Sequence, residues 1–250
     1  MTGRGHDTGH LDERINGCVT QLATAADEIF ETLDELGNAL AGAWHARTHA
    51  GNAYATSDLA ALQPEVFDVL DRHPAFNSAG FVLAEGTLDD RARHLDWWHR
   101  TTTDRYEFLV LNLDPGTIDC YDYYAMEWFD AAVSEHRRFV SGPLIDLPCA
   151  DVYIMTFSSP IIVDEVVLGV AGADVSVALF ESRIMPPLRT LAVDALLVNR
   201  ERRVIASNVA TFTTGEKLPT RPGADDTWRT VVPVTDDLGW ILCVGHAPVE

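Results

Sequence analysis

Two acidic residues and a group of aromatic residues near the middle of the chain have the types and the spacing to bind a small cation. The aromatic residues fall within residues 121–133, and they are Tyr121, Tyr123, Tyr124, Trp128 and Phe129. Asp146 and Asp174 follow them in the chain. A carboxylate beside aromatic ring faces attracts an ammonium or quaternary ammonium group, and each ring contributes about 0.5–2 kcal/mol. These residues therefore predict a site for a cationic head group.

The elements that carry these residues predict a pocket between a helix and a sheet. Residues 121–133 indicate a helix, because Tyr124, Trp128 and Ala131–Ala132 recur on one face. Three β-rich or apolar segments then predict an antiparallel meander, at residues 152–157, 159–163 and 166–173. Asp164-Glu165 is the expected turn between the last two strands. A helix with bulky aromatic residues packed on such a meander can form one wall of a pocket.

The chain before this region begins with a long predicted helix. Apolar residues recur in steps of four and three over residues 11–47, at Ile15, Val19, Leu22, Ala26, Ile29, Leu33, Leu36 and Leu40. The heptad pattern favours either packing along the body of the same chain or a homodimer seam, and the sequence leaves both open.

The remaining segments complete a predicted organisation in four parts. These parts are a disordered tail at 1–10, N-terminal helices at 11–75, a ligand-binding module at 76–185 and a smaller module at 186–250. The second helix is expected to be capped by Ser57 and to end at His73-Pro74. Strands are predicted at 76–83 and 106–113, in the hairpin 194–199/204–207, and at 228–234 and 240–244, whereas 95–98 is expected to be a connection or short helix. Pro186-Pro187 is expected to break the helix after Asp174.

A series of short motifs resembles the double Cache family of extracellular sensors, which have a PAS-like fold. The resemblance covers roughly residues 76–247 and is carried by Trp128-Phe129, Gly142-Pro143 with Asp146, Tyr153–Thr156 before Ser159-Pro160, and Gly169–Val175. It implies an α+β protein with a long N-terminal helix and two PAS-like modules with antiparallel sheets, of which the second is smaller. It also implies a sensor that binds a small molecule and signals through a partner protein.

The resemblance assigns roles position by position. In the amino-acid-binding branch of the family, an arginine two residues before the tryptophan holds the ligand carboxylate, and this chain has Met126 there. Tyr121, Trp128, Asp146 and Asp174 match the family positions, whereas Phe129 replaces a tyrosine and so lacks its hydroxyl. Met126 cannot replace a guanidinium clamp. With Tyr124 added from the aromatic wall, the predicted site therefore favours an amine, a polyamine or a quaternary ammonium compound over an amino acid.

Each of these residues also has a structural interpretation. Trp128 can be a core residue, Asp146 a turn residue after Pro143, and Asp174 a cap of the strand end or of the following helix. Trp97 and Trp98 can line the pocket from the other side, but core packing is the favoured interpretation for both.

Composition and missing motifs exclude several function classes. The formal net charge of −20 argues against nucleic acid and against anionic membrane surfaces. The sequence contains no phosphate-binding, nucleophile-elbow or zinc-protease motif, and His45 and His49 lack a third metal ligand. We therefore expect no cofactor, no metal and no catalysis. An enzyme acting on an amine or amide, or a dimeric scaffold with a vestigial pocket, remains the alternative.

The sequence also leads to an expected location. The first residues are polar and lack the apolar core of a signal peptide, and no apolar run reaches the length of a membrane span. On this basis the chain is expected to be a soluble cytoplasmic protein, or an extracytoplasmic one if it is a piece of a longer protein.

Overall fold

The computed structural model describes residues 4–102, 105–146, 152–224 and 226–246, with the side chains of 4–9, 102 and 146 left undescribed. The chain divides into two compact units. The larger consists of Ile29–Ser141 and Ile145–Ser176, and the smaller of Met1–Glu28, Gly142–Leu144 and Val177–Glu250. Each unit has its own antiparallel sheet, and the sheet of the second is smaller. The predicted fold class is therefore confirmed.

The long N-terminal helix α1 spans Arg4–His49. It begins inside the segment predicted to be a disordered tail. Its heptad residues are buried, with Leu22, Leu33 and Leu40 fully so, and only Val19 is partly exposed. The expectation that this face packs within its own chain is thus confirmed. The exposed residues of α1 are mainly polar. A homodimer through this helix stays a prediction, and it would have to form through these polar residues because the apolar face is buried.

The second helical segment is shorter and is divided into three parts. Helix α2 spans Thr56–Leu59, a 3-10 helix spans Ala60–Leu62, and helix α3 spans Gln63–Arg72. The predicted cap at Ser57 is wrong, because the helix begins one residue earlier and the Asp58 carboxylate accepts the N–H of Ala55 at 2.9 Å. The predicted end at His73 is confirmed, since His73 is the C-terminal cap of α3.

The larger unit contains a six-stranded sheet in the order β3-β2-β1-β6-β5-β4. Its strands are β1 Phe76–Leu83, β2 His94–Thr102, β3 Arg105–Phe108, β4 Phe139–Asp146, β5 Val152–Val163 and β6 Val166–Ser176. The connection or short helix expected at 95–98 is in fact part of β2. Strand β3 ends at Phe108, well before the predicted end at residue 113. Strand β5 runs unbroken through the two strands predicted there.

The two faces of this sheet pack against different elements. On one face, the ring of Phe157 lies 5.4 Å from that of Phe30 in α1, and Ser159 donates to the Asp34 carboxylate at 2.6 Å. Because side chains alternate along a strand, Thr156 and Ser158 point to the other face. We call this second face the site face, because it carries Asp174.

The smaller unit consists of a helix and a four-stranded sheet. Helix α5 spans Val177–Thr190 and continues through Pro186 and Pro187, so the predicted break is wrong. Proline keeps a helical φ, but it loses its N–H donor and its ring crowds the carbonyl four residues earlier. The burial of an apolar face, which includes Ile184 and Leu188, can offset this cost. The sheet order is β8-β7-β10-β9, with β7 Ala195–Val198, β8 Val204–Ser207, β9 Thr230–Thr235 and β10 Trp240–Val244.

Candidate functional site

Strand register places a row of polar side chains across the site face. Ser78 on β1 is directly opposite His99 on β2 and Asp174 on β6, and Asp174 is opposite Thr156 on β5. Residues directly opposite in antiparallel strands point to the same face. We call His99, Ser78, Asp174 and Thr156 the polar row.

Asp174 is the centre of this row. Its side chain is buried, with the residue only 7% exposed, and two hydroxyl groups donate to it. Ser78 donates to one carboxylate oxygen at 2.5 Å and Thr156 to the other at 2.6 Å. The two donors fix the orientation of the carboxylate on the sheet. A buried carboxylate on this face is a suitable counter-charge for a cation that enters the site.

The next row along the sheet is occupied by an indole ring and two glycines. Trp97 is opposite Gly80, and Gly80 is opposite Gly172. A Cβ atom on Gly172 would lie 3.0 Å from Cη2 of Trp97, so the ring lies directly against this glycine. Trp97 is 6% exposed. The ring of Trp97 therefore lies on the sheet in the row next to Asp174, where the two glycines leave space for it.

The wall over the site face differs from the helix that the sequence predicts. A 3-10 helix spans Tyr123–Ala125 and helix α4 spans Glu127–Val133, with Met126 extended between them at φ −89° and ψ 132°. The carbonyl of Trp128 accepts from Ser158 at 3.3 Å, and Ser158 is opposite Gly172 in the indole row. The start of α4 thus lies over the sheet next to the row of Asp174.

Three aromatic residues of this wall form a packed cluster. The ring of Phe129 lies 4.8 Å from that of Tyr123 and 4.7 Å from that of Tyr124. The hydroxyl of Tyr123 donates to the carbonyl of Leu83 at 2.9 Å, and that of Tyr124 accepts from the N–H of Glu85 at 2.6 Å. Burial raises the pKa of the Tyr123 hydroxyl strongly. These rings are part of the hydrophobic core of the unit.

The cluster is anchored at the far end of β1 from Asp174. Glu85 is seven residues beyond Ser78 in the sequence, which corresponds to roughly 23 Å along an extended chain. The hydroxyl of Tyr124 is therefore not brought to Asp174. Arg93 is held at the same end, where its guanidinium lies 4.8 Å from the Tyr124 ring centre and pairs with Glu85 and Asp122.

The other predicted site residues have different surroundings. Trp128 and Tyr121 are half-buried and pack against the aromatic cluster. Met126 is 37% exposed and has a neutral thioether side chain. The backbone of Asp146 ends β4, and its side chain lies outside the described residues.

A separate open groove lies at the start of β2. Its volume is about 690 Å³, and its lining includes Arg91, Arg93, His94, Leu95 and residues 108–115. Among the residues that the structure describes, no cluster of three or more His, Cys, Asp or Glu side chains could hold a metal ion. The rings of His45 and His49 stack at 5.5 Å on α1. Over the same described residues, no helix is both long and apolar enough to cross a membrane.

Sequence reasoning missed most of the polar row. Ser78, Thr156 and His99 come from three different strands. Thr156 lies in a motif that carries the family resemblance but was given no role in the site, and nothing in the local sequence indicates Ser78 or His99. The favoured interpretation of Trp97 as a core residue is confirmed, because it is buried in the hydrophobic cluster of the unit, and its ring also lies next to the polar row. The signal that could have found these residues is the strand register, which requires knowing that β2 is a strand.

Comparison with known proteins supports this assignment of the fold. Residues 66–181 match the family model described as methyl-accepting chemotaxis protein-like, first PDC sensor domain. The solved structure of methyl-accepting chemotaxis protein X is 15% identical, covers 92% of this chain and 96% of its own, and has a TM-score of 0.59. The ligand-binding domain of the Pseudomonas aeruginosa PAO1 amino acid chemoreceptor PctB, in complex with L-Arg, is 16% identical, with coverages of 94% and 93% and a TM-score of 0.57. No curated protein matches the sequence.

The comparisons also correct the predicted location. One similar structure is the extracellular domain of mmHK1S-Z3, which is 12% identical, with coverages of 82% and 71% and a TM-score of 0.55. Together with the chemotaxis sensor model, this points to an extracytoplasmic domain. The predicted cytoplasmic location is therefore wrong. That prediction rested on the polar character of the first residues and on the lack of a long apolar run. Neither feature determines on which side of a membrane a domain with this fold lies.

Proposed function

The chain contains a Cache (PDC-like) sensor domain, and from this premise we propose that it senses a small amine or quaternary ammonium compound and signals through a partner protein. The sensor family points to ligand binding rather than catalysis. The observation that carries the proposal is the buried carboxylate of Asp174, oriented by Ser78 and Thr156 beside the ring of Trp97. An ammonium group placed there meets both a negative charge and an aromatic face.

The residue at position 126 supports an amine over an amino acid. An amino acid has a carboxylate that needs a cationic partner, and guanidinium groups serve this role best because they bind both oxygens. Met126 has no charge. Arg93 is committed to Glu85 and Asp122 and is held against Tyr124, at the other end of β1. Neither residue supplies the carboxylate clamp beside Asp174.

Amino acids are the competing ligand class. PctB shares this fold and was solved with L-Arg. A likeness at 16% identity shows the fold alone, so the ligand of PctB sets a rival hypothesis and does not decide the ligand of this chain. The two ligand classes differ by the carboxylate, which makes a direct comparison possible.

The test is isothermal titration of the purified protein with ethylamine, tetramethylammonium, L-alanine and propionate. We expect the two cations to bind. Asp174→Asn should weaken ethylamine about 10- to 100-fold, because hydrogen bonds to charged groups contribute about 1.5–3 kcal/mol. It should also weaken tetramethylammonium, which has no N–H donor, through loss of the counter-charge alone. Asp130→Asn is the matched control, since Asp130 is an exposed acid on α4 that accepts from Ser134. It should leave affinity unchanged.

Two outcomes would overturn the proposal. If L-alanine binds more tightly than ethylamine, the site recognises amino acids and another residue holds the carboxylate. If Asp174→Asn and Asp130→Asn change amine affinity equally, Asp174 is not the counter-charge.

A further inference from the structure

His99 occupies the same row as Asp174, one serine away. It is directly opposite Ser78, and Ser78 is directly opposite Asp174. The imidazole and the carboxylate therefore point to the same face of the sheet. Ser78 has the shortest side chain in the row and is bonded to Asp174, so it does not fill the space between its two neighbours.

His99 has a buried nitrogen that the described protein does not satisfy. Its Nδ1 atom is shielded from solvent and has no hydrogen-bond partner among the described residues. In contrast, the hydroxyls of Ser78 and Thr156 in the same row are both bonded. More than about 90% of buried polar groups in folded proteins have a partner, so an exception beside a binding site requires an explanation. A polar group on the ligand would supply the missing partner.

We propose that the ligand is a short amino alcohol, with its ammonium group at Asp174 and its hydroxyl at Nδ1 of His99. This inference rests on the proposed function, because it assigns a second contact within the same site. His99 then determines specificity among amines. A hydroxyl suits this position because it both donates and accepts, and so it pairs with either tautomer of the imidazole.

The geometry of the row sets the length of the ligand. Two strand spacings separate His99 from Asp174, which is about 9.5 Å between backbones. Removing a hydrogen bond of about 2.8 Å at each end leaves about 4 Å between the ligand nitrogen and oxygen. That separation corresponds to two or three carbons, as in ethanolamine or 3-aminopropanol.

The charge of the neighbouring strand favours a hydroxyl over a carboxylate at this end. Glu107 on β3 is directly opposite His99 and points to the same face. A ligand carboxylate at His99 would therefore approach a like charge, whereas a neutral hydroxyl would not. Glu107 therefore disfavours binding of an amino acid at the His99 end of the site, for a reason separate from the missing charge of Met126.

The experiment compares ethylamine with ethanolamine, which carry the same charge and differ by the hydroxyl. Affinities are measured by titration calorimetry on the wild-type protein, on His99→Leu and on His99→Asn. We expect ethanolamine to bind the wild type about three- to tenfold more tightly, which is the contribution of one hydrogen bond. The preference should disappear in His99→Leu and persist in His99→Asn, whose amide places a polar δ atom where Nδ1 lies. In each protein the readout is the ratio of ethanolamine affinity to ethylamine affinity, because a general effect of the substitution on the site cancels in that ratio.

Each result separates this inference from the proposed function. If ethylamine binds and depends on Asp174 but ethanolamine binds no better, the inference is overturned and the amine sensor stands. If the ethanolamine preference survives in His99→Leu, another residue contacts the hydroxyl and the assignment of His99 is wrong. If neither amine binds, both proposals fail. Should His99→Leu not fold, a wild-type protein that binds ethanolamine no better than ethylamine still overturns the inference.

Discussion

Replacing Gly172 by alanine should destabilise the larger unit and displace the ring of Trp97 beside the candidate site. A Cβ atom at this position would lie 3.0 Å from the carbonyl oxygen of Phe157 and 3.0 Å from Cη2 of Trp97. Both distances are shorter than the roughly 3.5–4.0 Å of a favourable carbon contact. The carbonyl belongs to β5, which pairs with β6 along its length, so the backbone cannot easily move away. The ring of Trp97 must therefore shift.

The expected magnitude follows from the cost of overpacking. One extra methyl in a packed core costs about 1–3 kcal/mol. For a chain of this size each kcal/mol lowers the unfolding midpoint by about 2–4 °C, so Gly172→Ala should unfold about 2–12 °C below the wild type. Ethylamine affinity should also fall, because the displaced ring is the proposed contact of the ammonium group.

Gly42→Ala is the matched control. Gly42 lies in the same unit, inside helix α1, and a Cβ atom there would meet nothing within 4 Å. Alanine in an exposed helix position is favoured over glycine by about 0.5–1 kcal/mol. The same substitution should therefore stabilise the protein at position 42 and destabilise it at position 172.

The assay is thermal unfolding followed by circular dichroism, together with amine titration of both variants. If Gly172→Ala is as stable as the wild type and binds ethylamine normally, the ring of Trp97 does not pack against Gly172 as described. Equal losses at positions 172 and 42 would show that the effect does not arise from the site.

Two further predictions concern a partly buried histidine and Met126, which the family resemblance matches to a ligand-binding arginine. Burial, reinforced by the charge of Arg72, lowers the pKa of His73 below its ordinary value of 6.5. The unfolded chain then binds more protons than the folded one below about pH 6.5, so stability should fall as pH drops from about 7.5 to 5. His73→Gln should reduce this dependence in urea midpoints, and an unchanged slope would contradict the assignment. Met126→Arg should raise L-alanine affinity relative to ethylamine about tenfold by calorimetry, because a guanidinium binds carboxylate; no gain would refute the match of Met126 to the arginine position.

Much of the fold could be predicted because its strongest patterns coincide with its most buried elements. The heptad residues of α1 recur at helical spacing, and the structure buries them. Strand β6 is a nearly continuous apolar run because it lies inside the sheet, between β1 and β5. In such elements one burial requirement dominates, and it is visible in the local sequence.

Elements whose two faces have different partners were harder to predict. Residues 158–160 suggest a break in β5, yet Ser158 bonds to Trp128 on one face and Ser159 bonds to Asp34 on the other. The adjacent residues Trp97 and Trp98 were predicted to lie in a connection or a short helix. In the structure they alternate, with Trp97 on the site face and Trp98 packed against Phe67 of α3.

The candidate site shows the same division between local and long-range information. Asp174 could be identified because it lies in a recognisable motif, whereas its partners Ser78 and Thr156 are 96 and 18 residues away in sequence. The aromatic residues at 121–133 stand out in the sequence, but Tyr123, Tyr124 and Phe129 form a packed core cluster. The ring beside Asp174 instead comes from Trp97, and it reaches that position only because Gly80 and Gly172 leave the sheet bare beneath it. A binding row built across four strands is therefore specified by register, and register is set by pairings that no single segment contains.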